Sequence, residues 1–489
     1  MTKLSFYGGI GEIGGNKILL EESETKVFLD FGKSFNLERN FFDFPLLKPF
    51  YIPDLLNIGA IPSLRGLYRN SSEKPPVDAV LITHPHLDHY GYLSFLNKGV
   101  NIFLGKGTKE IIDIRSRTYR NYWDTKLDHL SFETFSTGDE KETGNLSFKP
   151  IHVDHSIPAA YGFIIQAGNK TISYTGDFRF HGRMGKLTED FLAALEKEDI
   201  DVLLCEGTNI SPGEEDEFLR EFEERLQNRG GVKVPERFPV HCRSEADVKE
   251  QMQRVAEELE GLVVVETSAA DVDRIRTVSE VARKTGRKLV LDPRQAYLTY
   301  ELEKSGLVSG LPNRGNSSVL MERRKLGKRL KSPTDSEDKE TGKKGRDQWQ
   351  QEFFEMSGEV YWGPEGREEI RKNAEGFLLC TSNATARFME LRYEKPFRCS
   401  YILSKSEPFN EEMAISFDKL LHWLGLLGID KYYQIHVSGH ADREEIKKLV
   451  EKANPNTLFP VHTNYPQLFK EIFSKSRIVE PTKGKPYEL

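Results

Sequence analysis

A chain of 489 residues is too long for one ordinary hydrophobic core and predicts two domains, with three as the upper limit. Hydrophobic residues make up 38% and charged residues 30%, and no run approaches the ~18 apolar residues of a membrane span. The formal net charge of −7 excludes a binder that relies on overall positive charge, so any basic groove for nucleic acid must be local. Because the N-terminus lacks a secretory apolar region, we expect a cytoplasmic protein without membrane contact.

Short apolar runs between glycine-rich and acidic turns predict a β-rich first part of the chain. The strand at 77–83 ends at a histidine-rich run, and a helix is expected from Tyr90 onward. The predicted strands of this part are 4–7, 17–20, 26–29, 77–83, 146–151, 161–166 and 171–174.

From about residue 200 the pattern changes to alternating strands and helices, which is typical of a parallel α/β unit. The predicted strands are 202–205, 238–241, 262–266, 288–291, 377–380, 398–403, 432–437 and 457–461. The predicted helices are 214–228, 245–259, 271–284, 410–426 and 442–452. The stretch 322–347 is dominated by charged and small polar residues and is expected to be an exposed insertion, with its basic cluster as a potential polyanion contact.

Four ligand-type side chains fall within six residues in the run His84-Pro85-His86-Leu87-Asp88-His89. His84 and His86 are two residues apart, so in an extended segment they point to the same side. Imidazole and carboxylate ligands favour zinc, with manganese as the alternative. A cysteine site is not expected, because the four cysteines (Cys205, Cys242, Cys380 and Cys399) contain no Cys-x-x-Cys pair.

Three further candidates, His155, Asp177 and His462, each follow a predicted strand. Strand ends can present ligands from separate segments at one edge of a sheet. A single histidine after a strand is more often structural, but the whole set indicates a centre for two divalent metal ions.

In order and spacing, this set, together with an early aspartate, Asp30, resembles the metallo-β-lactamase superfamily. Several segments resemble the β-CASP group and, within it, the RNase J family: 8–14, 154–162, 205–209, 436–441 and 460–462. The resemblance implies an α/β fold, a metallo-β-lactamase αββα sandwich with an inserted parallel α/β β-CASP domain. The implied limits are 1–207 and 436–489 for the sandwich and 208–435 for the insert. Only 27 residues follow His462, so an archaeal-type member without the bacterial C-terminal domain is expected.

The resemblance also implies roles for single residues. His84, His86 and His155 would bind one metal, Asp88, His89 and His462 the other, and Asp177 would bridge the two. Asp30 would not bind metal itself but would orient the ligands through hydrogen bonds. Glu206 and His440 would protonate the leaving 3′ oxygen, with Asp88 also counted as catalytic. The phosphate would be held by His436, Ser438 and backbone N–H groups at Gly439 and Ala441.

The implied activity is hydrolysis of single-stranded RNA to 5′-phosphate and 3′-hydroxyl products, in RNA processing or decay. Two divalent ions activate water and clamp the charge of phosphodiester attack. The expected mode is 5′-to-3′ exonuclease, with endonuclease action and a homodimer left open.

The segment that holds a terminal 5′ phosphate in RNase J relatives departs from the family pattern. RNase J relatives carry a Ser-Asn pair near Thr267-Ser268-Ala269-Ala270, where the Asn is missing here, and Asp442 stands where a serine is common. An added carboxylate would repel phosphate unless a cation offsets it, and Arg274, Arg294 and Arg387 are the candidates. The 5′-end preference is therefore open.

Three other classes are weighed against the ribonuclease. A DNA nuclease of the same fold is disfavoured by His462, because DNA-acting members often carry valine there. A small-molecule hydrolase would not need so large an insert, and a scaffold would be expected to have lost some ligands. His152, His181 and His241, and the aromatic stretch 35–51, are interpreted as structural, with base stacking as the alternative for the aromatic stretch.

Overall fold

The computed structural model describes all residues except 43–46, 48, 50, 119–125, 214–232, 322–352, 354–356, 392–397 and 407–410. The chain divides into two units, Met1–Pro212 with Gly439–Leu489 and Gly213–Ser438. These limits lie a few residues to the C-terminal side of the predicted ones, and the assignment of the domains stays a prediction. The predicted helix 214–228 and the charged insertion 322–347 lie outside the described residues.

The first unit contains two seven-stranded mixed sheets within the described residues. In sheet order, the first holds β22 (Pro486–Glu488), β1 (Lys3–Gly8), β2 (Lys17–Glu22), β3 (Thr25–Leu29), β4 (Ala79–Ile82), β5 (Asn101–Gly105) and β6 (Ser131–Phe135). The second holds β21 (Arg477–Ile478), β20 (Thr457–Val461), β11 (Val202–Glu206), β10 (Lys170–Tyr174), β9 (Ala160–Ala167), β8 (Leu146–Val153) and β7 (Lys141–Thr143).

Parallel pairing explains why the candidate residues meet at strand ends. In the first sheet β3, β4, β5 and β6 run parallel, and in the second β10, β11, β20 and β21 do. Parallel strands end at the same edge of a sheet, so the segments after β3 and β4 are neighbours, as are those after β10, β11 and β20.

The two sheets of this unit face each other through aromatic side chains. Phe6 of β1 stacks on Phe459 of β20 with ring centroids 5.2 Å apart, and Phe148 of β8 contacts Phe103 and Phe135 of the first sheet. Such pairs add to the stabilisation from burial alone. The inner faces of the two sheets therefore form the centre of the sandwich.

The outer faces of the two sheets are covered by helices. Leu55 and Ile112 pack in one buried cluster with the first sheet, and Phe191 and Leu449 pack in another with the second. The helices of this unit are Phe35–Phe41, Ile52–Asn57, Leu87–Tyr90, Lys106–Thr118, Gly185–Leu195, Arg443–Ala453 and Phe469–Ile472. The order helix, sheet, sheet, helix confirms the predicted αββα sandwich.

The second unit is built on an eight-stranded sheet whose described pairs are all parallel. Its order is β12 (Glu236–Val240), β19 (Lys431–Ile435), β18 (Cys399–Leu403), β13 (Leu262–Glu266), β17 (Phe377–Thr381), β14 (Lys288–Leu291), β15 (Ser318–Met321) and β16 (Glu359–Trp362). The helices are Glu245–Glu258, Val272–Lys284, Pro293–Ser305, Gly363–Lys372, Ala384–Leu391 and Glu411–Leu426. Central strands such as β13 are buried along their length, as parallel sheets require. The predicted parallel α/β insert is confirmed.

One predicted element is wrong, the helix from Tyr90 onward. The helix spans Leu87–Tyr90, a 3₁₀ turn follows at Leu93–Phe95, and β5 begins at Asn101. The backbone N–H of Gly91 closes the helix on Leu87, and the next turn is buried under the first sheet. In the part of the chain that the structure describes, no helix is long and apolar enough to cross a membrane.

Candidate metal centre

The first group of candidate ligands brings together three imidazoles and one carboxylate. After β4, an extended segment carries His84 and His86 before the short helix begins at Leu87. His86 Nδ1 lies 3.1 Å from both His84 Nε2 and His155 Nε2. Together with a carboxylate oxygen of Asp177, these atoms lie within 4.8 Å of one another. Such a set matches the ligand types that zinc binds.

The second group lies on the other side of Asp177. It contains Asp88, His89 and His462, whose ligand atoms also lie within 4.8 Å of one another. Asp177 Oδ2 is 3.1 Å from His89 Nε2, 3.7 Å from His462 Nε2 and 3.4 Å from His84 Nε2. Asp177 therefore lies within 4 Å of ligand atoms from both groups.

Several buried polar atoms of this cluster lack a hydrogen-bond partner and are suited to bind cations. Both carboxylate oxygens of Asp177 and Nε2 of His89 are buried and have no hydrogen-bond partner among the described residues. Burial of such atoms without a partner is costly. A divalent ion between the two groups would satisfy them, so the residues present fit metal ions.

The protonation of the histidines differs across the centre. Burial lowers the pKa of His86 to about 3 and that of His84 and His155 well below its usual value. Burial would also lower the pKa of His89, but Asp177 and the other nearby carboxylates outweigh it and raise that pKa well above its usual value. The first three rings are thus in the neutral form that binds metal, and the second group carries negative charge that a cation would balance.

Asp30 lies behind the ligands, as expected. Its Oδ2 is 2.7 Å from His89 Nδ1 and accepts a hydrogen bond from the Tyr174 hydroxyl at 2.8 Å. Its Oδ1 accepts the Thr83 backbone N–H at 2.8 Å. A ring nitrogen held in this way leaves the opposite nitrogen, Nε2 of His89, directed toward the centre.

Glu206, the last residue of β11, is paired with His440. His440 Nδ1 is 2.9 Å from Glu206 Oε2, and Glu206 Oε1 accepts the backbone N–H of Phe178 at 2.8 Å. Burial alone would lower the pKa of His440, but Glu206 and Asp177 raise it to about 9. The pair is therefore suited to donate a proton at neutral pH, and His440 Nδ1 lies 3.9 Å from Asp177 Oδ2.

The backbone next to His440 contacts the ligands directly. The Gly439 carbonyl oxygen is 2.6 Å from His155 Nδ1, so it accepts the hydrogen of that ring. A Cβ at Gly439 would lie 2.9 Å from the Ser156 side chain. The prediction for Ala441 needs correction, since its N–H donates to the Phe178 carbonyl at 2.6 Å and is not available to a phosphate.

His436 and Ser438 belong to the second unit, where His436 follows β19. Arg274 Nη1 donates a hydrogen bond to His436 Nδ1 at 3.1 Å, and Arg274 Nη2 lies 2.7 Å from Glu245 Oε1. Both residues of this ion pair are buried. Because Nδ1 of His436 accepts from Arg274, the ring hydrogen sits on Nε2, which can donate to an anion.

Two of the cations proposed to offset Asp442 have carboxylate partners within their own unit. Arg274 pairs with Glu245, and Arg387 pairs with Asp292. Asp442 itself caps the helix Arg443–Ala453, where its side chain accepts the Glu445 backbone N–H at 2.8 Å. The Asp442 carboxylate therefore serves as the N-cap of this helix.

Two notable side chains were not singled out from the sequence. Thr208 contacts both His440 and His462, and Lys17 is fully buried with its Nζ 2.8 Å from the Gly32 carbonyl oxygen. Thr208 lies in segment 205–209, which resembles the β-CASP group, so the sequence indicated its general position but not its contacts.

Two of the histidines interpreted as structural, His152 and His181, contact neighbouring side chains. His152 stacks on Tyr161, and His181 Nδ1 lies 2.9 Å from Glu445. Of the aromatic stretch, Phe44 and Phe50 lie outside the described residues.

Comparison with protein-family models gives two matches. Residues 56–242 match a beta-lactamase superfamily domain, and residues 430–474 match a Zn-dependent metallo-hydrolase RNA specificity domain. The sandwich and its metal cluster thus define a member of the metallo-β-lactamase superfamily. The domain matched by residues 430–474 is a Zn-dependent one, and the centre is a divalent-metal site.

Similar proteins narrow the assignment. Relatives include Ribonuclease J of Mycoplasma genitalium (27% identical over 294 residues, 59% of this chain and 43% of that protein) and Ribonuclease J 1 of Streptococcus pyogenes serotype M3 (25% over 485 residues, 94% and 68%). Ribonuclease J of Helicobacter pylori strain J99 is 22% identical over 486 residues, which cover 95% of this chain and 56% of that protein. The chain is similar to these RNase J proteins, and it spans less than half the length of the Mycoplasma relative.

A solved structure shows the same fold over the whole chain. The crystal structure of a protein of unknown function from Enterococcus faecalis V583 superposes with a TM-score of 0.71 and 22% identity, covering 100% of both chains. At this identity the likeness concerns the fold alone.

Proposed function

We propose that this protein is a metal-dependent ribonuclease that hydrolyses phosphodiester bonds of single-stranded RNA to 5′-phosphate and 3′-hydroxyl products. The observation that carries the proposal is Asp177, whose two buried, uncommitted oxygens lie between two histidine groups and within 4 Å of the Glu206–His440 pair. A metal centre and a proton donor side by side are what phosphodiester hydrolysis requires.

We assign the ligands as expected from the sequence. His84, His86 and His155 would hold one ion, and Asp88, His89 and His462 the other, with Asp177 shared. Zinc ions bound there would supply Lewis-acid polarisation of a water and of the phosphoryl oxygens.

The remaining steps belong to side chains of this protein. His155 is oriented by the Gly439 carbonyl, and His89 by Asp30. His440, held by Glu206, would give its Nε2 hydrogen to the leaving 3′ oxygen, because Nδ1 already faces the carboxylate. General acid catalysis of this kind contributes roughly 10²–10⁴-fold.

We further propose that the Nε2 hydrogen of His436, the Ser438 hydroxyl and the Gly439 backbone contact the scissile phosphate. The Arg274 contact to Nδ1 of His436 supports a donor role for that ring. RNA is favoured over DNA because the matching domain is described as an RNA specificity domain and the relatives are named ribonucleases. The 5′-to-3′ direction, endonuclease action, a cytoplasmic location and a homodimer are parts of the proposal that rest on the resemblance.

A matched digestion tests the function. Single-stranded RNA and DNA of one sequence, labelled at either end and carrying a 5′-monophosphate, are incubated with the zinc- or manganese-loaded protein. We expect RNA to be cleaved and Asp177→Asn to abolish cleavage. The control Asp190→Asn changes an exposed carboxylate on the helix Gly185–Leu195 and should leave the rate unchanged.

Three results would contradict the proposal. DNA cleaved faster than RNA would favour the DNA nuclease, and no cleavage of either would remove the nuclease function. Products with a 3′-phosphate would contradict the assigned role of His440.

A further inference from the structure

The hydroxyl of Thr208 lies where the metal centre and the acid pair meet. Thr208 follows β11, two residues after Glu206. Its Oγ1 is 2.8 Å from Glu206 Oε2, 2.8 Å from His462 Nδ1 and 3.2 Å from His440 Nδ1.

The donors and acceptors in this contact fit only one arrangement when metal is bound. Nε2 of His462 faces Asp88 Oδ2 at 3.2 Å and must be unprotonated to act as a ligand. The ring hydrogen then sits on Nδ1, which donates to Thr208 Oγ1. A hydroxyl has a single hydrogen, and a carboxylate only accepts, so Thr208 donates to Glu206.

The same carboxylate oxygen accepts the Nδ1 hydrogen of His440 at 2.9 Å. A continuous chain of hydrogen bonds therefore runs from His462 through Thr208 to Glu206, where it meets the bond from His440. It fixes the tautomer of both rings, with Nε2 of His462 bare toward the metal and Nε2 of His440 carrying the proton for the leaving oxygen.

We propose that Thr208 is a positioning residue that fixes the metal-binding tautomer of His462 and couples it to the Glu206–His440 acid pair. The proposal rests on the function assigned above, because it takes His462 as a ligand and His440 as the acid. A purely structural role, in which the hydroxyl only ties the loop after β11 to the His462 backbone at 3.4 Å, is the competing explanation.

Removal of the hydroxyl separates the two explanations. Thr208→Val keeps the shape and removes the hydrogen bonds, while Thr208→Ser keeps the hydroxyl. Thr457→Val is the matched control, since Thr457 is a half-buried threonine at the start of neighbouring β20, five residues before His462. Zinc binding to each full-length protein is measured by competition with a chromogenic chelator, and kcat and KM are measured on the RNA substrate.

We expect Thr208→Val to weaken binding of the zinc ion that His462 helps to hold by roughly 10–100-fold, the usual effect of removing the hydrogen-bond partner of a metal-ligating histidine. It should lower kcat more than it raises KM, and Thr208→Ser and Thr457→Val should resemble the unaltered protein in both measurements. If Thr208→Val does not fold, Thr208→Ala gives the same comparison, because alanine also lacks the hydroxyl.

Unchanged zinc affinity in a folded variant without the hydroxyl would overturn the proposal, and so would equal losses in the Val and Ser variants. An unaltered protein that binds zinc but cleaves no RNA would instead overturn the proposed function. The zinc comparison would still decide whether Thr208 orients His462.

Discussion

Replacing Asp30 with asparagine should weaken metal binding while leaving the fold intact. Asparagine tolerates the left-handed backbone of this position, where φ is +56°. The carboxylate accepts hydrogen bonds on both oxygens, from Thr83 on one side and from His89 and Tyr174 on the other. An amide has only one oxygen, so its NH₂ group must face an N–H or O–H that needs an acceptor.

The magnitude follows from which contact is lost. Loss of the partner of His89 Nδ1 frees the ring to rotate or change tautomer, which typically costs ~10–100-fold in metal affinity. That loss corresponds to roughly 1.4–2.7 kcal/mol of binding free energy. A buried donor left unpaired adds ~1–3 kcal/mol of lost stability, which a thermal melt would register.

Zinc affinity measured by chelator competition tests this expectation. Asp78→Asn is the control, because Asp78 is exposed just before β4 and its carboxylate accepts only the backbone N–H of Lys26, at 2.9 Å, among the hydrogen bonds described. We expect the control to bind zinc like the unaltered protein. If Asp30→Asn bound zinc within a factor of about two of the unaltered protein, His89 would not depend on Asp30 and the reasoning would be refuted.

Three further predictions concern stability and metal. Burial lowers the pKa of Lys17 to about 7, so between pH 7 and the pKa of ~10.4 of an unfolded lysine the unfolded chain binds the extra proton. The free energy of unfolding therefore rises with pH in this range, by at most ~1.4 kcal/mol per pH unit. Lys17→Met should lose this pH dependence. Free energies from urea unfolding that change with pH equally in both proteins would contradict the prediction. Arg274→Met removes the cation that pairs with the buried Glu245 carboxylate and should destabilise the second unit by roughly 3–5 kcal/mol, part of which Glu245→Gln should restore. A loss below about 1 kcal/mol would mean that the pair is not needed. Chelation of the metal should lower the Tm, because the carboxylates around His89 lose the positive charge of the metal. Added zinc should restore the Tm. A Tm that chelation leaves unchanged would contradict bound metal.

The fold was predictable where local pattern and long-range structure agree. Buried runs such as Leu262–Glu266 identify parallel strands, and the histidine run after a buried strand identifies the centre. The helix Lys106–Thr118 was missed because its average composition is polar and only its buried face is apolar, with Ile111, Ile112 and Ile114 as the clearest signs. Short edge strands such as Lys141–Thr143 carry too few residues to show alternation.

The contacts that tune the centre were not predictable, because they join residues far apart in sequence. Thr208 and His462 are 254 positions apart, and Asp30 and Tyr174 are 144 apart. A buried Lys17 runs against the usual exposure of lysine, and only the surrounding carbonyl oxygens explain it.

The glycine-rich segment 8–15, first noted as a family-like motif, has a positional role that the geometry explains. A Cβ at Gly14 would meet the Asp88 side chain at 2.7 Å. The Gly9 carbonyl accepts the backbone N–H of His462, which has a left-handed φ of +52°. Left-handed backbone at residues other than glycine costs of order 1–3 kcal/mol and persists only where surrounding contacts impose it. Asp30, which orients His89, and His462, a candidate ligand, both have this strained backbone. The contacts of segment 8–15 with Asp88 and His462 therefore help to hold the centre in a geometry that the local sequence would not adopt by itself.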